Sequence, residues 1–134
     1  MAGGGKYDFD FSDKVVLVVE DNQISFKLID AVLRQVKTNV VHAPNGLRAI
    51  ELCASGAHFD LVLMDMQMPE VDGLEATRRI KLIRPELSIV ATTANTYDET
   101  APACMEAGCD AFLRKPLQFR IMFEMMQSFF DKQS

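Results

Sequence analysis

Five short apolar runs, each followed by a stretch with helical spacing, limit this chain more than any other feature of its sequence. The runs are KVVLVVE (Lys14–Glu20), NVVHA (Asn39–Ala43), LVLMD (Leu61–Asp65), SIVATT (Ser88–Thr93) and AFLRK (Ala111–Lys115). Runs this apolar suit strands buried on both faces, and the segments between them are long enough for crossover helices. The expectation is an α/β domain with a mainly parallel sheet, helices on both faces, and five strands alternating with five helices. A length of 134 residues suits one such domain. Residues 1–12, with Gly3-Gly4-Gly5, read as a flexible N-terminal extension, and residues 13–134 as a single domain.

The helices carry their own punctuation. Asn22 is placed to cap the first, whose apolar positions are Ile24, Leu28, Ala31, Val32 and Val36. Gly56 closes the second, Pro69 and Gly73 bracket the loop before the third, and Arg84-Pro85 ends it. Pro102 suits the first turn of the fourth and Gly108 its end. The fifth, QFRIMFEMMQSFF, has one apolar face of Phe119, Met122, Phe123, Met126, Phe129 and Phe130. Ile121 and Met125 widen that arc, either as a broad core face or as a rim for a partner or a second copy.

Composition removes several classes. A net charge of −5 and a pI near 5.0 speak against direct nucleic-acid binding, which needs clustered Lys and Arg. The start has no apolar signal-peptide core, and no window approaches a membrane span. Cys53, Cys104 and Cys109 form no C-x-x-C pair, so free thiols in a cytoplasmic setting are expected. His42 and His58 stand alone, outside any metal-ligand spacing.

In open parallel sheets, ligands bind beyond the carboxyl ends of the strands. Four of the five runs end in polar groups: Glu20 and Asp21, Asp65, Thr93, and Lys115. Each alone has an ordinary structural use, as a helix-dipole charge, a turn residue, β-branched filler or a solvated lysine. Together they would converge on one rim. Three carboxylates there repel one another, and hard oxygen donors suit Mg²⁺. Carboxylate, metal, lysine and hydroxyl can together transfer a phosphoryl group onto an Asp side chain.

The stretches VVEDN, LVLMDMQMPEVDGLEATRRI, IVATTAN and GCDAFLRKPL resemble the receiver domains of two-component response regulators, over about Lys14 to Phe130. The resemblance implies a flavodoxin-like, doubly wound sheet in the order 2-1-3-4-5, an order for which a member of this family is a standard example. It implies that Asp65 is the phosphoacceptor and that Thr93 and Lys115 contact the phosphoryl group. The metal, Mg²⁺ with Mn²⁺ as a substitute, would be held by Glu20, Asp21, Asp65 and the backbone carbonyl of Gln67. It further implies a cis bond before Pro116, a switch pair of Thr93 and Phe112, and phosphoryl lifetime tuned by Gln67 and Asn95. The acidic pair here is Glu-Asp where many members have Asp-Asp. The implied donor is a histidine kinase or a histidine phosphotransfer domain, with self-association through the fourth and fifth helices as a further expectation. The wording MDMQMP leans toward receivers attached to hybrid sensor kinases.

Three rivals fit less well. A Mg²⁺-dependent phosphohydrolase of the haloacid-dehalogenase type usually has a second Asp two residues after the nucleophile, where this chain has Gln67. A flavin-binding flavodoxin needs a phosphate cradle after the first strand, where this chain has Glu20-Asp21. A degenerate receiver would lack Asp65, Asp21 or Lys115, and all three are present. The expected function is therefore a signalling phosphoacceptor, not a turnover enzyme.

Overall fold

The computed structural model describes residues 7–68 and 71–133. Gly3-Gly4-Gly5 and Pro69 lie outside the described residues. Strands β1 (Val15–Val19), β2 (Asn39–Ala43), β3 (Leu61–Asp65), β4 (Ile89–Thr93) and β5 (Ala111–Arg114) alternate with helices α1 (Gln23–Gln35), α2 (Gly46–Ala54), α3 (Gly73–Ile83), α4 (Tyr97–Ala107) and α5 (Phe119–Lys132). The strands form one sheet in the order β2-β1-β3-β4-β5, every pairing parallel. Strand ends fall within a residue of the apolar runs.

Every residue of β3 and β4 is buried, as the continuous apolar runs require of strands covered on both faces. Successive side chains alternate between two cores. Leu17, Val19, Val62, Met64, Ile89 and Ala91 face a cluster with Ala49 and Cys53 of α2, Ala76 and Ile80 of α3, and Cys104 of α4. Val16, Val18, Leu61, Leu63 and Val90 face Ile29, Val32 and Leu33 of α1 and Met122, Phe123, Met126 and Phe130 of α5.

Side-chain caps start three helices: Asn22, Asn45 and Asp72 accept from the amides of Ser25, Arg48 and Glu75 at 2.8–2.9 Å. Two expectations about the helices need correction. Ile24 and Leu28 are 82% and 55% exposed, and Ala31 is exposed too. The buried stripe of α1 is Ile29, Val32 and Leu33, continued by Val36, an i, i+3, i+4, i+7 set displaced around the helix from the expected one. Pro102 lies inside α4 because that helix begins at Tyr97. Its side chain is exposed, and its missing N–H leaves one carbonyl without the usual helical donor.

The segment expected to be a flexible extension packs against the fold from Tyr7 onward. The Phe11 amide donates to the Val36 carbonyl at 2.8 Å, and its ring, 1% exposed, meets Phe130 edge-on at 4.9 Å. Phe9 and Tyr7 lie against Phe123 at 5.5 and 4.9 Å. The aromatic alternation at 7, 9 and 11 covers a side of α5 that the helix alone leaves open. Among the described residues, no helix is long and apolar enough to cross a membrane.

Two outcomes test this packing. Phe11→Ala should destabilise the fold by about 3 kcal/mol in urea titration, as for other emptied aromatic sites; an unchanged midpoint would contradict the anchoring. All three thiols are buried, and burial, then the neighbouring Cys104, pushes the Cys109 thiol up to about 12. Native protein at neutral pH should therefore resist iodoacetamide, with all three cysteines labelled only after denaturation, as read by intact mass.

Candidate functional site at the carboxyl edge of the sheet

β1 delivers Glu20 and Asp21 to the rim. The Glu20 amide continues the ladder by donating to the Ala43 carbonyl at 3.1 Å. Its carboxyl is 2% exposed and accepts from the Asn22 amide at 3.2 Å. From β2, His42 Nε2 donates to the Glu20 carbonyl at 2.9 Å, which requires the proton on Nε2 because a carbonyl only accepts. The His42 ring stacks on Phe26 of α1 at 3.6 Å, with 10° between the planes. The acidic turn is thus held from two neighbouring elements.

β3 delivers Asp65, 3% exposed and paired in register with Thr92. The ladder continues one step beyond it, Met66 N–H to the Thr92 carbonyl at 2.9 Å, so the carboxylate sits on rigid backbone. Gly73 opens α3 directly behind it. A Cβ there would overlap the Asp65 carbonyl oxygen and Met66 Cα, so only glycine lets the helix approach this closely.

From β5, Lys115 Nζ reaches Asp65 Oδ1 at 3.3 Å and Glu20 Oε1 at 3.4 Å. The Lys115 amide donates to the Thr93 carbonyl at 2.7 Å, and the Lys115–Pro116 bond is cis, as expected. Glu20, Asp21 and Asp65 each offer an oxygen within 4.8 Å of the others. Among the described residues, three carboxylates gather around one ammonium, and the donor set is all hard oxygen. It fits a small divalent cation, with exposed Asp21 on the side open to water. Burial, and next the Asp65 charge, raise the Glu20 carboxyl above its ordinary value, while the Asn22 amide and Lys115 act in the opposite direction.

β4 delivers Thr93, fully buried. Its Oγ1 accepts from Gln67 Nε2 at 2.9 Å and from the Asn95 amide at 3.1 Å, while Gln67 Oε1 accepts from the Ala94 amide at 3.2 Å. Phe112 of β5 pairs with Ala91, two residues before Thr93 and therefore on the same sheet face. It is half-buried against the α2–α3–α4 core. The expected site residues thus gather in one place. Sequence reasoning missed His42 and Phe26 as supports, and the Gln67 side chain as a link from β3 to β4. Twenty-odd residues separate His42 from Glu20, and no local pattern joins them.

Known proteins resemble this chain in sequence and in fold. The family profile described as response regulator receiver domain matches residues 16–127. A hybrid signal transduction histidine kinase, L, of Dictyostelium discoideum is 33% identical over 85% of this chain and 7% of its own length. The chain spans 16% or less of the first three curated relatives it matches. The receiver domain of a sensor histidine kinase from Pseudomonas aeruginosa PAO1, solved with magnesium coordinated in its active-site cleft, is 30% identical, with a TM-score of 0.80 over 87% of this chain and 96% of that one. The Saccharomyces cerevisiae complex of a histidine phosphotransfer protein with the receiver domain of its downstream response regulator gives a TM-score of 0.82 at 25% identity, over 92% and 91%.

The raised Glu20 carboxyl has a testable consequence. A group whose folded value is raised adds stability below its ordinary range and loses it as pH climbs through the raised value. Without metal at neutral pH, Glu20→Gln should therefore be more stable than the wild type in urea. The gap should close on acidification, and the variant should bind Mg²⁺ more weakly. A less stable metal-free variant at neutral pH would contradict this electrostatic reading.

Proposed function

This chain belongs to the response regulator receiver domain family, and on that premise we propose that Asp65 accepts a phosphoryl group from a phosphohistidine on a histidine kinase or a phosphotransfer domain. The observation that carries the reading is one buried carboxylate at a strand end, 3.3 Å from Lys115, with two further carboxylates within 4.8 Å. In the transfer, an Asp65 carboxylate oxygen forms the new bond to phosphorus as the bond to the donor imidazole nitrogen breaks. Mg²⁺, or Mn²⁺ in its place, held by Glu20, Asp21, Asp65 and the Gln67 carbonyl, would neutralise charge on the phosphoryl oxygens.

Lys115 is a counter-ion to Asp65 and Glu20 before transfer and holds a phosphoryl oxygen afterwards. Thr93 donates a hydrogen bond from its hydroxyl to another phosphoryl oxygen. Phe112, on the same face of the sheet, follows Thr93 and alters the surface formed by α4, β5 and α5. Gln67 and Asn95 tune the lifetime of the phosphoryl group, and slow loss to water is the only turnover. We assign the described fold, from Tyr7 on, to one receiver unit working in the cytoplasm as a regulator or as part of a hybrid kinase.

Ile24 and Leu28 project from α1, and a groove lined by Leu28, Ile29, Pro116, Leu117 and Phe119 runs up to Glu20 and Lys115. An apolar helix surface of a donor fits there, beside the acceptor. Self-association through α4 and α5 would use Met105 and Ile121, 69% and 46% exposed. Met125 is half-buried in the α5 core instead.

Acetyl phosphate and Mg²⁺ should add one phosphoryl group to the wild type by intact mass and none to Asp65→Asn. An unmodified wild type would sink the assignment. Lys115→Ala should slow the gain by roughly 10²-fold, the scale for removing one stabilising group from a charged transition state.

A further inference from the structure

The Gln67 side chain joins two turns that the strand ladder does not connect. Its main-chain amide donates to Asp65 Oδ1 at 3.1 Å, so the residue starts at the acceptor itself. Its carboxamide then crosses to the end of β4 and makes two contacts there: Nε2 to Thr93 Oγ1 at 2.9 Å, and Oε1 to the Ala94 amide at 3.2 Å. The orientation is determined by chemistry. The Ala94 N–H can only donate, so the amide oxygen must face it and the NH₂ must face Thr93.

We propose that the Gln67 carboxamide is a latch on the unphosphorylated state, occupying the β4-end groups that a phosphoryl group on Asp65 has to recruit. The inference rests on the reading of Asp65 as phosphoacceptor. Phosphoryl oxygens only accept hydrogen bonds. At this end of β4 they can take the Thr93 O–H and the Ala94 N–H. In the structure the Ala94 N–H is spent on Gln67, and Thr93 Oγ1 already accepts from two N–H groups. Recruiting the Ala94 N–H to phosphate means breaking its bond to Gln67 Oε1, and drawing Thr93 toward the phosphate pulls its oxygen off Nε2; one planar amide makes both contacts, so they are lost together.

Burial makes the latch reversible. Thr93 is 0% exposed and has no water to turn to, so in the unphosphorylated state Gln67 and the Asn95 amide satisfy its oxygen. Gln67 is exposed, so its released carboxamide is satisfied by solvent at little cost. The side chain therefore favours the resting position of Thr93 without preventing its departure. Gln67 is a positioning residue: it acts through Thr93 and Ala94.

The test uses beryllofluoride with Mg²⁺ as the phosphoryl stand-in, on the full chain. Gln67→Met keeps the length and bulk of the side chain and removes both hydrogen bonds; Gln67→Ala also removes the bulk. Both should bind beryllofluoride about tenfold tighter than the wild type, the scale of ordinary net hydrogen-bond strength. In the absence of beryllofluoride, the Thr93 and Ala94 amide resonances of both variants should move toward their positions in the beryllofluoride-bound wild type. A merely structural role would lower the melting temperature and leave affinity unchanged. Unchanged or weaker binding by Gln67→Met overturns the latch, as does a gain in Gln67→Ala alone, which would reveal steric access. No uptake by the wild type would overturn the phosphoacceptor reading and the latch with it; uptake with equal affinities overturns the latch alone.

Discussion

One ammonium group balances two buried carboxylates at the end of the sheet. Lys115, from the end of β5, reaches Asp65 of β3 and Glu20 of β1 at 3.3 and 3.4 Å. Both carboxylates are at most 3% exposed, and without that partner each would carry a large desolvation cost. The pairing is still incomplete, because Asp21 adds a third negative charge to the cluster. Burial, and next the Asp65 charge, raise the Glu20 carboxyl, and the surplus of carboxylate oxygens suits a divalent cation.

Everything else in the fold keeps that cluster in register. Parallel pairing brings the carboxyl ends of all five strands to one edge. Gly73 lets α3 close behind Asp65, and His42, stacked on Phe26, holds the Glu20 backbone. The period-2 alternation that sorts side chains between the two cores also puts Thr93 and Phe112 on one face.

The legible and illegible parts of the structure divide by interaction range. The five strands, the Asn22 cap and the Arg84 stop could be read because each depends on a few adjacent residues. The buried face of α1 is ambiguous in the sequence because two apolar stripes compete on that helix; the sheet takes Ile29, Val32 and Leu33 and leaves Ile24 and Leu28 in solvent. The arm from Tyr7 to Phe11 reads as flexible in the sequence because its glycine-rich neighbours dominate the local composition. Its aromatic alternation was the available clue, but its meaning depends on Phe123 and Phe130, more than a hundred residues away.

By itself the sequence determined the α/β alternation, the strand-end positions of Glu20, Asp21, Asp65, Thr93 and Lys115, and the family. These follow from local periodicity and from motifs a few residues long. Only the tertiary structure decided what those side chains do to one another. Lys115 spans Asp65 and Glu20, His42 supports the acidic turn, and the Gln67 carboxamide chooses Thr93 and Ala94. The reason is physical: a buried polar group must find its partner in space, and in a parallel sheet that partner lies on another strand, a crossover or more away along the chain.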